Sequence, residues 1–249
     1  MIRLEHLHVT YHKASPLENH VLQGIDLTIH PGEFITIIGG NGAGKSTLMN
    51  VLAGETIPDA GHIWLNAMDI TALSTVKRAH WISRVFQDPM QGTCSDLTIE
   101  ENLLLAHRRG HRRGFKFAYD RQLKNTLKDA VAELGIGLED RFLTPIGALS
   151  GGQRQAISLL MATLQPCELL LLDEHTAALD PKMARLVLQI TDKIVKKHEL
   201  TTFMITHSMQ QALHYGTRTL LMQQGKIVKD LNTAARALLQ PADLLAYFD

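Results

Sequence analysis

The chain has 249 residues, 45% of them hydrophobic, and a formal net charge of zero at pH 7. That length suits one large α/β domain or two small ones, and the composition is ordinary for a folded soluble protein. The balanced charge argues against the strongly basic surface of a nucleic-acid binder, so we expect no nucleic-acid partner. No stretch approaches the ~20 apolar residues that span a bilayer, and the N-terminus does not resemble a signal peptide.

Cysteine and histidine content gives no sign of a metal centre. The two cysteines, Cys94 and Cys167, match neither a metal spacing nor a disulfide framework, and we interpret them as incidental reduced thiols. The thirteen histidines include no HExxH-type pair. We therefore expect no site built from a cluster of metal-ligating side chains.

The first 87 residues predict strands around one helix. "IRLEHLHVTY" and "VLQGIDLTIHPGE" alternate apolar and polar residues, which favours antiparallel strands. "EFITIIGG" is a short β-branched run typical of a buried parallel strand. "GKSTLMNVLAG" has helical spacing and stops at Gly54, and "GHIWLNAMDI" predicts a further strand.

From residue 88 to residue 165 the apolar spacing becomes helical, as in "TIEENLLLAHRRG" and "DRQLKNTLKDAVAELGI". "CELLLLDE" and "TTFMITH" then predict two more buried strands with a helix between them. "TRTLLMQQGKIVKD" predicts a hairpin at Gln224-Gly225, and the tail from Asn232 predicts helix interrupted at Pro241. We therefore predict an α/β core with an antiparallel edge (1–87 and 166–249) and a helical subdomain (88–165).

"GGNGAGKST" fits the pattern G-x-x-x-x-G-K-[ST] between a strand and a helix. Its glycines let backbone N–H groups surround phosphate oxygens, and Lys45 adds a positive charge to the same oxygens. The hydroxyl of Ser46 is an oxygen ligand of the kind that Mg²⁺ prefers. The predicted phosphate-binding residues are Gly39, Gly40, Asn41, Gly42, Ala43, Gly44, Lys45, Ser46 and Thr47.

Three more polar side chains follow predicted strands. Asp173 and Glu174 end "LLLLDE", and ligands of open α/β sheets bind at the carboxyl ends of the strands. Asp173 is therefore a candidate Mg²⁺ ligand, and Glu174 is a candidate base for the attacking water. His207 ends "TTFMITH" at the same predicted edge, which favours contact with the γ-phosphate. Gln87, in "RVFQDP", could approach Mg²⁺ or the water where the helical segment begins.

The stretch "LSGGQRQ" (149–155) has the composition of a helix start that binds anions. Together, and in this order, "GGNGAGKST", "VFQDP", "LSGGQRQ", "LLLLDEHTAALD" and "MITH" resemble the nucleotide-binding subunit of ATP-binding cassette (ABC) transporters. The resemblance covers nearly the whole chain, and "LSGGQ" is far more specific than a P-loop alone. It implies a P-loop NTPase (RecA-like) core, an ATPase activity, and ATP and Mg²⁺ as ligands.

The resemblance also implies further site residues and a second chain. In the family two subunits pack head to tail, so Ser150, Gly151, Gly152 and Gln153 would face the γ-phosphate held by the partner's P-loop. Asp180, in "TAALD", would cross the same interface. Tyr11 matches the family's aromatic residue that stacks on adenine.

The resemblance implies that the chain works with other proteins. The expected partners are a second copy of this chain, integral-membrane permease subunits and, for an importer, a substrate-binding protein. The expected location is the cytoplasmic face of the membrane, held there by the permease. "DEHTAALDP" and "VFQDPMQGT" resemble segments of importer-type ATPases for amino-acid uptake, a resemblance of low specificity, and exporters and lipid- or lipoprotein-release systems remain alternatives. A DNA-repair ATPase of this type would need a long heptad-bearing insertion, which is absent from the sequence.

Three features fall outside these assignments. His175 stands where many relatives have proline. The basic stretch "HRRGHRRGFKF" (107–117) is either a solvated helix end or a contact for lipid head groups or an acidic permease surface. The apolar stretch after Gln87, with Met90 and Leu97, is either a docking surface for the permease or part of the core.

Overall fold

The computed structural model describes residues 1–110, 121–245 and 247, and in these ranges it contains two β-sheets and nine α-helices. The strands are β1 (Ile2–Tyr11), β2 (Asn19–Ile29), β3 (Phe34–Gly39), β4 (Ala60–Leu65), β5 (Met68–Asp69), β6 (Ile82–Val85), β7 (Leu169–Asp173), β8 (Thr202–Ile205), β9 (Arg218–Gln223) and β10 (Lys226–Leu231). The helices are α1 (Lys45–Ala53), α2 (Thr75–Arg78), α3 (Ile99–His107), α4 (Arg121–Ala132), α5 (Gly151–Thr163), α6 (Pro181–Lys197), α7 (Met209–His214), α8 (Thr233–Ala237) and α9 (Pro241–Leu245). Two 3₁₀ turns lie at Glu139–Arg141 and Ile146–Ala148.

The larger sheet has the order β10-β9-β3-β8-β7-β6, and its pairs are parallel except for the β9–β10 hairpin. Every residue of β3 is buried, because helices or the second sheet cover both faces of a parallel sheet. The carboxyl ends of β3, β7 and β8 consequently lie side by side. The polar site residues predicted from the sequence follow strands that end at this edge.

The smaller sheet has the order β2-β1-β4-β5 and is antiparallel. Alternate residues of β1 are buried, so one face of this sheet packs on a core that also includes α1 and the larger sheet. Both antiparallel strands predicted at the N-terminus are confirmed. The single strand predicted in "GHIWLNAMDI" is two short strands, β4 and β5, joined by a turn in which Asn66 has φ +53°.

Between residues 88 and 165, the described part of the chain is helical and packs on a second core cluster. Thr98 is the N-cap of α3. Its hydroxyl accepts from the Glu101 N–H, and the Glu101 carboxylate accepts from the Thr98 N–H. Leu103, Leu127 and Ile157, from α3, α4 and α5, are buried together in this cluster. Whether this segment is a separate subdomain with boundaries at 88 and 165 stays a prediction.

The turns and helix ends predicted at glycine and proline residues are present in the structure. Gln224 and Gly225 both have positive φ, 47° and 76°, as the central residues of a type I′ hairpin turn require. Gly54 ends α1 with φ +80°. Pro241 is the first residue of α9, so the tail is two short helices with a break before the proline.

The basic stretch is only partly described, because residues 111–117 lie outside the described ranges. The interpretation of this stretch as a solvated helix end is wrong for Arg109. Its guanidinium donates to the carbonyls of Ala162 (2.8 Å) and Gln165 (2.8 Å) and to the Ser83 hydroxyl. Burial lowers the pKa of Arg109. This arginine therefore joins α3 to the core of the protein. Met90 is exposed and Leu97 half-buried, which leaves both interpretations of that apolar stretch open.

In the described part of the chain, no helix combines the length and apolar character needed to cross a membrane. The same residues contain no group of three or more potential metal-ligating His, Cys, Asp or Glu side chains. Cys94 and Cys167 are both free.

Candidate functional site

The loop between β3 and α1 is shaped by its glycines. Gly42 and Gly44 have φ values of 77° and 96°, which side chains with a Cβ rarely adopt. A Cβ on Gly39 would lie 2.4 Å from the Met222 carbonyl oxygen on β9. The backbone can therefore curl tightly against the sheet before α1 begins.

Lys45 is the first residue of α1, and its ammonium group is buried in this loop. Its Nζ donates to the carbonyls of Gly39 (2.8 Å) and Gly40 (3.0 Å). Burial lowers the pKa of Lys45, and the nearby carboxylates of Glu174 and Asp173 partly offset this effect. A positive charge is thus held at the mouth of the loop, where phosphate oxygens would accept from it.

Glu174 directly follows β7 and has an unusual backbone. Its φ is +45°, in the left-handed region that non-glycine residues seldom adopt. Its Oε1 lies 2.6 Å from Nε2 of His207, which follows β8. The predicted base and the predicted γ-phosphate contact therefore touch each other at the carboxyl edge of the sheet.

Asp173 is bound by a residue that sequence reasoning missed. Arg84, on β6, places Nη2 2.6 Å from Oδ2 of Asp173 and Nη1 2.9 Å from both Asn50 Oδ1 and Glu55 Oε1. Its Cζ also lies 4.8 Å from the ring centre of Phe86. Arg84 thus joins the end of α1, the end of β7 and the residue before Gln87. No local motif marks it, because its partners are distant in sequence.

The phosphate-binding loop, Glu174 and His207 border a cleft of about 240 Å³. The cleft is lined by Asn19, Val21, Asn41, Gly42, Ala43, Gly44, Lys45, Ser46, Thr47, Glu174 and His207. Tyr11 is exposed at the end of β1 and pairs with Asn19, so it lies beside the cleft rather than in its lining. Gln87 is exposed two residues beyond β6.

The oxygen-rich groups near this cleft suit a hard cation. Ser46 is exposed and lines the cleft, whereas the Asp173 carboxylate is half-buried, paired with Arg84, and lies outside the cleft lining. Hydroxyl, carboxylate and amide oxygens are the ligands that Mg²⁺ takes together with phosphate oxygens. Ser46, Asp173 and Gln87 thus have the right chemistry for Mg²⁺ beside a bound phosphate.

The "LSGGQ" segment begins α5 and lies outside that cleft. The Ser150 hydroxyl accepts from the Gln153 N–H (3.3 Å), while Gln153 Oε1 accepts from the Ser150 N–H (3.2 Å). A Cβ on Gly152 would lie 2.4 Å from Met183 Cε and 2.9 Å from Met183 Cβ, so this glycine allows α5 to approach α6 closely. Ser150 and Gly151 are exposed, and neither lines the cleft formed by the described residues.

Asp180 caps the next helix. Its side chain accepts from the N–H groups of Lys182 and Met183, both at 3.1 Å, and Pro181 occupies the first helical position. Asp180 itself is exposed. The structure therefore gives this residue a capping function within its own chain, and its predicted place at an interface stays a prediction.

The buried β3–loop–α1 unit and the acidic residues at the end of β7 define a P-loop nucleotide-hydrolysing domain. Comparison with known proteins narrows the class, because residues 22–177 match the family described as "ABC transporter". The chain belongs to the ABC transporter family and is an ATP-binding ATPase subunit of it.

Two curated relatives match at substantial identity. The "Tyrosine transport ATP-binding protein" of Clostridioides difficile (strain R20291) is 38% identical over 249 residues, which cover 100% of this chain and 99% of the relative. The "Thiamine import ATP-binding protein ThiQ" of Yersinia pestis is 36% identical over 223 residues, covering 90% of this chain and 89% of the relative.

Solved structures confirm the fold. A dimeric ATP-binding cassette in a post-hydrolysis state with ADP and Pi matches with a TM-score of 0.78 at 25% identity, covering 94% of this chain and 99% of that one. A cassette of an ABC transporter in its ADP conformation matches with a TM-score of 0.81 at 23% identity, covering 99% and 98%. The predicted P-loop NTPase architecture is therefore confirmed.

Proposed function

We propose that this ATPase powers the import of an amino acid through a membrane permease, and that it does so as a head-to-tail pair of identical chains. The relative named for tyrosine transport matches along the full length of both proteins, which favours an amino-acid substrate over other imported solutes. The permease would hold the chain at the cytoplasmic face of the membrane, and a substrate-binding protein would deliver the solute to that permease.

One observation carries the head-to-tail arrangement. The P-loop cleft and the "LSGGQ" helix start are separate features of the chain, and the exposed Ser150 and Gly151 have no place in the cleft lining. Both are suited to phosphate, the first through its glycine loop and Lys45, the second through bare N–H groups at the start of α5. A second copy facing the first would bring each cleft together with the other chain's "LSGGQ" segment.

In the resulting site, catalysis is mainly positioning and charge stabilisation. The N–H groups of Gly42 and Gly44 and the ammonium of Lys45 hold the β- and γ-phosphates, and Tyr11 stacks on adenine. Glu174 orients and deprotonates the attacking water, and His207, whose Nε2 lies 2.6 Å from this carboxylate, contacts the γ-phosphate.

The remaining groups complete the charge balance. Mg²⁺, held by Ser46, Asp173 and Gln87, would neutralise charge on the phosphate oxygens. The partner's Ser150 and the glycines after it close the site from the other side, and Asp180 borders the same interface.

Glu174→Gln tests the chemical step. The amide keeps the shape of the side chain but cannot accept the proton from water, so ATP should still bind while turnover falls at least about 100-fold, as expected for loss of a general base. The variant should also accumulate as an ATP-bound dimer in size-exclusion chromatography. Turnover at the parental rate would exclude Glu174 as the base.

Mixing two variants tests the head-to-tail pair. Lys45→Ala disables the cleft of one chain, and Ser150→Arg blocks the "LSGGQ" segment of another, so each variant alone should be inactive. A mixed dimer retains one intact site, formed by the cleft of the Ser150→Arg chain and the segment of the Lys45→Ala chain. Recovery of ATPase activity on mixing is expected, and no recovery despite heterodimer formation would contradict the arrangement.

Transport tests the substrate class. A strain lacking this chain should lose uptake of a radiolabelled aromatic amino acid and regain it with the wild-type chain but not with Glu174→Gln. If amino-acid uptake is unchanged, the amino-acid assignment is wrong and the ATPase assignment stands. Impaired thiamine uptake would then indicate import of a different solute, and impaired release of a solute or lipoprotein would indicate export.

A further inference from the structure

The residue that follows Glu174 makes a buried side-chain contact of its own. His175 is 2% exposed, and its Nε2 lies 3.0 Å from the hydroxyl oxygen of Thr191 on α6. The Thr191 hydroxyl donates its proton to the Val187 carbonyl, at 2.8 Å. Because that proton is already used, Thr191 accepts from His175, and the imidazole therefore carries a hydrogen on Nε2.

This contact lies where the backbone is strained. Glu174 has φ +45°, and a non-glycine residue in such a conformation is stabilised only by its surroundings. Two backbone bonds hold it: its N–H donates to the Ile205 carbonyl (3.2 Å), and its own carbonyl accepts from Ala177 N–H (2.9 Å). These bonds connect Glu174 to β8 and to the turn that follows it, and neither connects the turn to a helix. The His175 side chain does so, since Thr191 lies within the buried face of α6.

We propose that His175 is a positioning residue for ATP hydrolysis, and that its hydrogen bond to Thr191 keeps the Glu174 carboxylate directed at His207 and the cleft. The inference rests on the proposed role of Glu174 as the base. His175 is buried and does not line the cleft, so it does not touch the nucleotide there. It acts by fixing the turn that carries the carboxylate. An apolar side chain of similar size could fill the same space but could not make this hydrogen bond.

The matched pair Thr191→Val and Thr191→Ser separates the hydrogen bond from packing. Valine has nearly the shape of threonine but cannot accept from His175, whereas serine keeps the hydroxyl. We expect Thr191→Val to lower kcat for ATP about 5- to 10-fold, corresponding to the loss of one buried hydrogen bond. We expect KM for ATP to stay within about twofold, because the phosphate-binding loop is untouched. Thr191→Ser should recover most of the lost kcat.

The effect should also depend on the other members of this arrangement. His175→Leu should lower kcat as Thr191→Val does, and the double variant should be no slower than the slower single variant, because both remove the same bond. His175→Gln places an amide N–H near the position of Nε2 and should recover part of the activity. In a Glu174→Gln background, Thr191→Val should leave the residual turnover unchanged, since the carboxylate that it positions is gone.

The outcomes distinguish this inference from the proposed function. If Glu174→Gln is inactive but folded Thr191→Val turns over ATP at the parental rate, the inference is wrong and the proposed base stands. Multiplicative losses in the double variant, or a raised KM with normal kcat, would also overturn it. If Glu174→Gln itself retains full turnover, the proposed function fails first. Circular dichroism and melting temperature establish that each variant is folded before its kinetics are compared.

Discussion

Gly39 and Gly40 are adjacent glycines with opposite surroundings, and the same substitution at each tests the packing of the phosphate-binding loop. An added Cβ at Gly39 would lie 2.4 Å from the Met222 carbonyl oxygen and 3.0 Å from the Ala43 Cβ. At Gly40 an added Cβ would have no atom within 4 Å. Neither glycine has φ in the left-handed region, so backbone conformation does not distinguish them.

The expected difference follows from this geometry. The atoms that Gly39→Ala would meet are a backbone oxygen on β9 and a Cβ, and neither can move away by changing rotamer. Overpacking of this kind costs about 1–3 kcal/mol, and we expect about 3 kcal/mol because relief requires moving β3 from β9. Replacing glycine by alanine also restricts the unfolded chain, which stabilises by about 0.4–1 kcal/mol. That contribution is the same for both variants and cancels in their difference.

Differential scanning fluorimetry measures the outcome directly. For a chain of this size 1 kcal/mol corresponds to about 2 °C in Tm, so Gly39→Ala should melt about 6 °C below Gly40→Ala. Displacement of the loop should also weaken ATP binding by Gly39→Ala, measured by competition with a fluorescent nucleotide. Equal melting temperatures, or a lower value for Gly40→Ala, would refute the packing argument.

Three further predictions concern buried polar groups. Arg78 is fully buried and donates four hydrogen bonds to carbonyls, two of them at the end of α1. Arg78→Met should therefore lower the free energy of unfolding, measured by urea denaturation, by about 3–5 kcal/mol. A loss below about 1 kcal/mol would contradict this. The Arg84–Asp173 contact predicts a coupling of about 1–3 kcal/mol in a double-mutant cycle of Arg84→Met with Asp173→Asn, whereas additive losses would show that the two side chains are independent. Burial lowers the pKa of His175 from 6.5 to about 4, so the unfolded chain binds this proton first and folding stability should fall as pH decreases from 6.5 toward 4, by up to about 3 kcal/mol. His175→Gln should remove this part of the pH dependence, and an unchanged profile would argue against it.

Local sequence patterns were sufficient for the elements of the fold and for the nucleotide-binding loop. The period-two alternation of β1 and the β-branched run of β3 correspond to strands with one and two buried faces. The P-loop could be recognised because its function requires particular residues at fixed spacing in one continuous segment. The positions of Glu174 and His207 beside the cleft were also predictable, since each lies within two residues of the end of a buried strand, whereas their catalytic roles stay predictions.

Contacts between distant residues could not be predicted in this way. Arg84 binds Asp173, 89 positions away, and the basic stretch gave no sign that Arg109 reaches Ala162. The bond from His175 to Thr191 joins a turn to the interior of a helix, and a threonine in a helix has no distinctive pattern. Such pairs depend on how the sheet order brings segments together, which spacing in a single sequence does not encode.

Helix α6 contacts both the "LSGGQ" segment and the turn that carries Glu174. Near its start, Met183 packs against Gly152 of the "LSGGQ" segment, and Asp180 caps it. Further along, Thr191 holds the residue after Glu174. In a head-to-tail pair, Gly152 would serve the partner's nucleotide and Glu174 the chain's own. Because one helix contacts both, we infer that in such a pair a displacement of α6 would disturb the partner's site together with the chain's own, and the two sites would be mechanically coupled.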